Sequence, residues 1–341
     1  MNIALTGGGT AGHIMPNIAL VAPLKKHFDN ILYIGNERKQ EADLCAQYNL
    51  QFAHCDSIKF DRTKLFSNAK IPFAMPAFVR QAKKILLEHH IDVVFSKGGY
   101  VSLPVVLAAK SLHLPVICHE SDLSLGLANK LTATFARKVI TSHPETPLRK
   151  NYAFVGNPLR EQIFDAHPEK IFHAHNFSTR LPIILVVGGS LGATVINSVI
   201  YNMLDELCKN YFVIHICGKN IQHINHANYL QLEYAQNIQD YIAVATIVIS
   251  RCGANFSQEI SALNKKAIYI PLPATSSRGD QIENATLLQQ HNFAQMLLQE
   301  NLSPITLLST IERAMSANKN FYYYDRSIPD KIVKIILDEL K

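Results

Sequence analysis

The chain is 341 residues long, about twice the usual size of one domain, so we expect two domains. Apolar residues make up 48% and charged residues 18%, a globular composition that excludes the disordered, collagen-like and coiled-coil classes. Lys and Arg number 33 against 27 Asp and Glu, and a net charge of +6 is too dilute to indicate a nucleic-acid-binding protein. We therefore expect no nucleic-acid partner.

The N-terminus predicts no signal peptide, because Met1 leads directly into the strand pattern 2–5 without a basic segment or a long apolar run. The longest apolar stretches, 183–187 and 242–249, are far shorter than the ~20 residues that a membrane-spanning helix needs. The sequence therefore predicts a protein that can touch a membrane but does not cross it.

Cysteine and histidine spacing gives no sign of a metal site. The six cysteines form no CxxC pair, so we expect buried free thiols in a reducing cytoplasm. We expect several histidines to be solvated surface residues rather than metal ligands: His89, His90, His173, His175, His223 and His226.

Short β-branched runs recur along the chain, and most of them lead through a turn into a helical stretch. Their positions are 3–5, 31–34, 92–95, 116–118 and 138–141 in the first half, and 183–187, 212–216, 246–249 and 267–270 in the second. This alternation predicts right-handed βαβ units and a parallel sheet in each half.

A polar, His-rich stretch over 160–181 separates the two series of strands. We therefore predict an N-terminal domain over 1–160 and a C-terminal domain over 161–327. The last segment, 328–341, has the apolar spacing of an amphipathic helix, and we expect it to pack back on the N-terminal domain.

A glycine-rich loop, GGGTAGH at 7–13, follows the first predicted strand and opens a helix. Backbone N–H groups and the helix dipole make such a turn an acceptor of anions. The pattern also fits GxGxxG, but NAD binding requires an acidic residue at the end of the second strand, where Gly35 and Asn36 precede Glu37. An NAD-dependent oxidoreductase remains the less favoured alternative, and His13 is expected to do more than fill the core.

The second half repeats this arrangement with GGSLGA at 188–193, and a further glycine turn lies in SRCGANFSQE at 250–259. A diphosphate could rest on the amides of that turn. Glu259, about one turn into the next helix, could accept hydrogen bonds from both hydroxyls of a ribose. The alternative is that Glu259 only stabilises the helix dipole.

Six motifs together resemble, in order, those of the MurG family of bacterial glycosyltransferases. They are GGGTAGH at 7–13, SKGGYVSLP at 96–104, HESDLSLGLANK at 119–130, GNPLR at 156–160, GGSLGA at 188–193 and SRCGANFSQE at 250–259. The resemblance implies an α/β protein of the GT-B fold, with two Rossmann-like, doubly wound parallel-sheet domains and the active site in the interdomain cleft. It also implies inverting transfer of N-acetylglucosamine from UDP-GlcNAc to undecaprenyl-pyrophosphoryl-MurNAc-pentapeptide, which turns lipid I into lipid II. A UDP-GlcNAc 2-epimerase of the same fold is the alternative.

The resemblance further implies two groups of substrate-binding residues. Those facing the acceptor and the reacting sugar are Thr10, Ala11, Gly12, His13 and Asp122. Those contacting the nucleotide sugar are Arg160, Ser190, Ala235, Ala254, Asn255, Phe256, Ser257, Gln258, Glu259 and Gln281.

The chain departs from the family pattern at a few of these positions. Ala11 replaces the usual Gly, Leu191 replaces Gln, and the pair at 255–256 replaces Leu-Thr. Asp122 stands where the family usually has Asn, and a carboxylate accepts hydrogen bonds but donates none. The sugar contact at Asp122 is therefore expected to differ.

Transfer from a UDP-sugar requires stabilisation of the leaving diphosphate and a base for the attacking hydroxyl. Helix N-termini and Arg160 are available for the first task, and the absence of a DxD sequence predicts that no metal ion or other cofactor takes part. His13 is the predicted base, since imidazole accepts a proton near neutral pH, and the alternative is that His13 only binds substrate.

Apolar and basic residues mix in the segment 71–84, and the surrounding stretch 59–90 has seven Lys or Arg against Asp61 and Glu88. An apolar face bordered by cations favours an anionic membrane surface, as expected for a peripheral protein on the cytoplasmic face of the bacterial inner membrane. The residues expected to dock are Phe73, Met75, Phe78, Val79, Arg80, Lys83 and Lys84. The alternative is an amphipathic helix packed on the sheet.

Overall fold

The computed structural model describes residues 1–8, 11–36, 39–60, 65–147, 149–189, 192–219 and 223–340. It contains two compact units, one formed by Met1–Arg160 with Asp325–Lys341 and the other by Glu161–Tyr324. Each unit is built on a sheet in which every pairing between the described strands is parallel.

The first unit has a sheet of seven strands in the order β3-β2-β1-β4-β5-β6-β7. The strands are β1 (Asn2–Thr6), β2 (Asn30–Gly35), β3 (Gln51–His54), β4 (Val93–Ser96), β5 (Val116–Glu120), β6 (Lys138–Thr141) and β7 (Tyr152–Phe154). Its helices are α1 (Ala11–Leu24), α2 (Lys39–Gln47), α3 (Ile71–Glu88), α4 (Ser102–Ser111) and α5 (Leu127–Thr132). The strand order reverses between β1 and β4, and ligands of open α/β sheets bind beside such a switch point, at the carboxyl ends of the strands.

The second unit has six strands in the order β10-β9-β8-β11-β12-β13. They are β8 (Ile183–Val187), β9 (Phe212–Ile216), β10 (Tyr229–Leu232), β11 (Ile247–Ser250), β12 (Lys266–Tyr269) and β13 (Gln295–Met296). Its helices are α6 (Glu169–Ala174), α7 (Thr194–Asn202), α8 (Leu204–Asn210), α9 (Ile238–Val244), α10 (Ala254–Ala262), α11 (Asp280–Gln290) and α12 (Pro304–Ser316).

Strand β8 shows why this unit is doubly wound. Leu185 and Val187 belong to one hydrophobic core, whereas Ile184 and Val186 belong to another. Successive side chains of a strand point to opposite faces, so helices cover both faces of the sheet and the strand is a continuous apolar run. The runs that the sequence identified as strands are present in both sheets.

The last helix, α13 (Ile328–Asp338), belongs to the first unit, where it packs on α1. Gly156 has φ +117° and lies under Ile328, whose Cδ1 would be 2.5 Å from a Cβ at that position. Arg137 Nη1 also donates a hydrogen bond to the carbonyl of Glu339, at 2.8 Å. The C-terminal segment thus packs against the unit in which the chain begins.

The structure also contains elements that the sequence did not indicate. Strands β3, β7, β10 and β13 were not predicted, and their residues are mostly half-buried or exposed. The stretch 160–181 is not simply a polar linker, because it contains α6, and Ile171 of that helix is buried in a core of the second unit. Within the described ranges, no helix combines the length and the hydropathy required to cross a membrane.

Candidate functional site

The first glycine loop leaves β1 where there is no room for side chains. A Cβ on Gly7 would lie 2.8 Å from Cβ of Lys97, and one on Gly8 would lie 2.5 Å from Oε1 of Glu41. The hydroxyl of Tyr33 donates to the carbonyl of Gly7, which holds the loop from beneath. The glycines are therefore required by close packing as well as by the turn.

Helix α1 follows this loop and carries the predicted base. Gly12 is exposed and His13 is half-buried, both in the first turn of the helix, where backbone N–H groups have no acceptor within the helix. Ala11 is the first residue of α1, and Thr10 lies outside the described residues. The arrangement offers an imidazole beside a positive helix end.

A second glycine turn, Gly98–Gly99, follows β4 and packs against the first loop. Gly99 has φ +81°, and a Cβ there would lie 2.6 Å from the carbonyl oxygen of Gly8 and 3.6 Å from Cδ2 of His13. Both turns lie at the carboxyl ends of the neighbouring strands β1 and β4, beside the switch point of the sheet. The ring of His13 therefore lies close to the Gly98–Gly99 turn.

Asp122 is held in place by the preceding carboxylate, Glu120, which is only 6% exposed. Oε1 of Glu120 accepts hydrogen bonds from the backbone N–H groups of Ser121 at 3.0 Å and Asp122 at 3.1 Å. Oε2 accepts from the N–H of Gly126 at 2.7 Å and from Nδ2 of Asn129 at 3.0 Å. Four donors thus fix the turn that carries the half-buried Asp122.

A buried lysine beneath these loops was missed from the sequence. Lys97 is 3% exposed, and its Nζ lies 2.5 Å from Nδ1 of His119 and 3.5 Å from Oδ1 of Asn157, and also contacts Oγ of Ser121. Burial lowers the pKa of Lys97 to about 7. Burial and the nearby Lys97 lower the pKa of His119. The only local signal is a lysine directly after an apolar strand, within a quoted motif.

In the second unit, the glycine turn within 250–259 is held in place by Arg251, the residue that follows β11. Its Nη1 donates to the carbonyls of Ile270 at 2.9 Å and Pro271 at 3.2 Å, and its Nη2 donates to Oε1 of Gln299 at 2.6 Å. Gly253 then precedes α10, and no heavy atom of the described residues lies within 4 Å of the position that its Cβ would take. The N-terminus of α10 is thus fixed in position with open space beside Gly253.

The predicted donor residues of α10 differ in exposure. Ala254, Ser257, Gln258 and Glu259 are buried, whereas Asn255 and Phe256 are half-buried. Phe256 packs against a hydrophobic core, so its side chain is partly occupied with packing. Nε2 of Gln258 is buried without a hydrogen-bond partner in the part of the chain that the structure describes.

Glu259 lies deeper in the helix than the sequence indicated. It is the sixth residue of α10, one and a half turns in rather than one, and only 6% exposed. Interactions with a helix dipole fall off within the first turn. The helix dipole therefore acts only weakly on Glu259, and its contact with a ribose stays a prediction.

Gln281 is the second residue of α11, and Gly279, which has φ +86°, directly precedes that helix. Oε1 of Gln281 accepts a hydrogen bond from the backbone N–H of Leu272 at 3.0 Å. Because that partner can only donate, it fixes the orientation of the amide and leaves Nε2 as the group that can donate to a ligand hydroxyl.

The remaining predicted residues are less informative. Ala235 is buried in a hydrophobic core, so its backbone rather than its side chain would have to contact a base. Arg160 is the half-buried last residue of its segment in the first unit. Ser190, Leu191 and Glu37 lie outside the described residues. The expectation that the two units share one active site stays a prediction.

The remaining histidines and the cysteines were predicted to be surface residues and free thiols, respectively. Among the described residues, no group of three or more His, Cys, Asp or Glu side chains could hold a metal ion. All six cysteines are buried and free, as expected. The prediction of a solvated surface residue is wrong for His175, which is half-buried with its Nε2 2.8 Å from the hydroxyl of Tyr241. It is also incomplete for His226, which is half-buried and whose Nδ1 accepts from the N–H of Asn228 at 3.3 Å.

The sequence of the chain matches two family models, one in each half, and curated glycosyltransferases. The glycosyltransferase family 28 N-terminal domain matches residues 3–141, and the family 28 C-terminal domain matches residues 183–335. A "UDP-N-acetylglucosamine--N-acetylmuramyl-(pentapeptide) pyrophosphoryl-undecaprenol N-acetylglucosamine transferase" from Lachnospira eligens is 40% identical, and the match covers 99% of both chains. An enzyme of the same name from Lachnoclostridium phytofermentans is 41% identical over 94% of this chain and 92% of its own.

Solved structures share the fold at lower sequence identity. The crystal structure of Acinetobacter baumannii MurG matches with a TM-score of 0.77 at 21% identity, over 99% of each chain. The UDP-GlcNAc 2-epimerase of Neisseria meningitidis matches with a TM-score of 0.68 at 13% identity, over 99% of this chain and 100% of its own. Since both family 28 domains match in order and full-length relatives reach about 40% identity, the chain belongs to glycosyltransferase family 28, with the MurG transferases, and has the GT-B fold.

Proposed function

We propose that the protein is an inverting glycosyltransferase that moves N-acetylglucosamine from UDP-GlcNAc to undecaprenyl-pyrophosphoryl-MurNAc-pentapeptide, which converts lipid I into lipid II in peptidoglycan synthesis. The observation that carries the proposal is the 40% identity, over 99% of both chains, to a transferase named for this reaction. The epimerase alternative depends on a likeness at 13% identity, which establishes a shared fold only.

The second unit supplies chemistry suited to the donor. The backbone N–H groups at the N-terminus of α10 are suited to bind the leaving diphosphate, and the helix dipole favours its negative charge. Glu259, buried farther along that helix, is suited to accept both ribose hydroxyls. Nε2 of Gln281 is suited to donate to a hydroxyl of the sugar, because the other end of its amide is bound to Leu272.

The first unit supplies the base. His13 stands in the first turn of α1, and a neutral imidazole can accept a proton near neutral pH. The acceptor hydroxyl attacks the anomeric carbon, a new C–O bond forms, and the bond to the diphosphate breaks as UDP leaves. The hydroxyl proton passes to His13, and a single in-line displacement inverts the anomeric centre.

A labelling experiment tests the proposed function. Purified protein is incubated with UDP-GlcNAc carrying a radioactive sugar, with and without a lipid I analogue. We expect the label to pass into the lipid fraction only when the analogue is present. Label that stays in the aqueous phase, or free N-acetylmannosamine formed without the analogue, would overturn the proposal.

We further infer that α3 contacts an anionic membrane surface on the cytoplasmic side. Phe73 is 86% exposed near the start of the helix, and Arg80 and Lys84 are exposed farther along. The second half of the helix instead packs inward, since Ala82 and Leu86 are buried in the core of the first unit. The packed-helix alternative therefore accounts for Ala82 and Leu86, and the membrane contact is proposed for the exposed residues of α3.

Fewer of the residues expected to dock on a membrane are exposed than the sequence indicated. Val79 packs against the core, and Met75, Phe78 and Lys83 are half-buried. Phe73 is the best exposed apolar member, and burying it in the interface contributes roughly 25 cal/mol per Å² removed from water. Residues 61–64, which include Asp61 and two of the counted cations, lie outside the described residues.

Vesicle sedimentation tests this contact with a matched control. Phe73→Ser should weaken binding to vesicles of anionic lipid, while Phe321→Ser, at an aromatic residue 75% exposed in the second unit, should not. Charge reversal of Arg80 and Lys84 should weaken binding at low salt most, because salt screens the attraction. Equal sedimentation of all variants would show that the membrane contact lies elsewhere.

A further inference from the structure

Lys97 connects three loops at the carboxyl edge of the first sheet. It directly follows β4, and its Nζ meets the side chains of His119 in β5, Ser121 just after β5, and Asn157 in the loop after β7. These positions fall in three of the six motifs, and the partners are up to 60 residues apart in sequence. Lys97 cannot itself reach a substrate, because it is 3% exposed.

The three partners all present acceptors to Nζ. Nε2 of His119 lies 3.0 Å from the carbonyl of Gly156 and donates to it, so Nδ1 carries a lone pair. The hydroxyl of Ser121 donates its hydrogen to Oδ1 of Asn157 at 2.8 Å. The lone pairs of the Ser121 oxygen are therefore available to Nζ of Lys97. Three acceptors match the three N–H groups of an ammonium, whereas a neutral amine would set its own lone pair against one of them.

The nearby carboxylates also favour the ammonium form of Lys97 over the neutral amine. The carboxylates of Glu120 and Asp122 stabilise the ammonium and oppose the burial that lowers the pKa of Lys97. His119 is neutral there, since burial and Lys97 lower its pKa. A buried cation is costly unless its N–H groups are satisfied, and three acceptors lie around this one.

The neighbours of this network are the acceptor-side loops. Gly98 and Gly99 follow Lys97 directly, and Gly99 abuts the carbonyl of Gly8 and the ring of His13. Ser121 is followed by Asp122. We propose that Lys97 is a positioning residue, whose ammonium holds the loops after β4, β5 and β7 so that His13 and Asp122 face the acceptor. This inference rests on the proposed function.

Replacement of Lys97 by Met tests the inference, because Met keeps a long unbranched chain and donates no hydrogen bond. We expect kcat/KM for the lipid acceptor to fall at least tenfold, while the Kd for UDP stays within twofold because the donor residues belong to the second unit. Lys265→Met is the matched control, since Lys265 is half-buried in the second unit and donates to the carbonyl of Ala243. The control should alter thermal stability without altering the acceptor kinetics.

Three further results complete the design. A Lys97→Met protein with parental acceptor kinetics would overturn the positioning role. If that variant does not fold, Lys97→Gln decides the question, because its amide offers two donors but is shorter than the lysine side chain and carries no charge. A fall in acceptor kcat/KM with unchanged UDP affinity supports the role, and parental kinetics overturn it. Absence of transfer by the parent protein would overturn the proposed function and this inference with it, whereas an active parent with an equally active Lys97→Met overturns the inference alone.

Discussion

Replacement of Glu120 by Gln should strongly destabilise the first unit. The carboxylate receives four hydrogen bonds, from the N–H groups of Ser121, Asp122 and Gly126 and from Nδ2 of Asn129. An amide has one accepting oxygen, so in either orientation its NH₂ group faces two of these donors. A hydrogen bond to a charged group contributes about 1.5–3 kcal/mol, and two lost bonds predict a cost of about 3–6 kcal/mol.

Urea denaturation followed by circular dichroism measures this cost, and Glu88→Gln provides the control. Glu88 is exposed on α3 and lies 3.6 Å from Nζ of Lys84, a surface pair that contributes less than about 1 kcal/mol. The change should also reduce kcat/KM for the acceptor, since the turn carrying Asp122 loses its anchor, while UDP affinity should not change. A Glu120→Gln protein no less stable than Glu88→Gln would refute the reasoning.

His13→Ala should lower turnover by about 10²–10⁴-fold and leave UDP affinity by calorimetry unchanged, and near-normal turnover at saturating acceptor would remove His13 from the role of base. Glu259→Gln should weaken UDP and UDP-GlcNAc alike by about 1.5–3 kcal/mol, and unchanged UDP affinity would exclude a ribose contact. Burial lowers the pKa of His215 to about 4, so the unfolded chain, with a pKa near 6.5, binds more protons between these values. The free energy of unfolding should therefore fall by about 3 kcal/mol as pH drops from ~6.5 to ~4, and denaturation of His215→Gln should show a shallower loss.

The sequence was informative where local patterns determine structure. The central strands are continuous apolar runs because both of their faces are buried, as in β8. The unpredicted strands β3, β10 and β13 are short and half-exposed, so their composition resembles that of loops. The first glycine loop was visible because close packing allows no side chain there, as at Gly7, where a Cβ would lie 2.8 Å from Cβ of Lys97.

The polar network beneath the acceptor loops could not be predicted in the same way. Lys97 meets Ser121 and Asn157, which follow it by 24 and 60 residues, and only the strand order of the folded sheet brings them together. The depth of Glu259 in α10 likewise depended on where the helix begins, and sequence patterns locate helix ends least reliably. Chemistry that depends on residues distant in sequence thus required the structure.

Release of UDP by the purified protein tests the central claim most directly. UDP is measured with UDP-GlcNAc alone and after addition of a lipid I analogue. Glycosyl transfer predicts UDP release that depends on the analogue, saturates with it, and falls by about 10²–10⁴-fold in His13→Ala. UDP release at the same rate without the analogue, or none with it, would contradict the account.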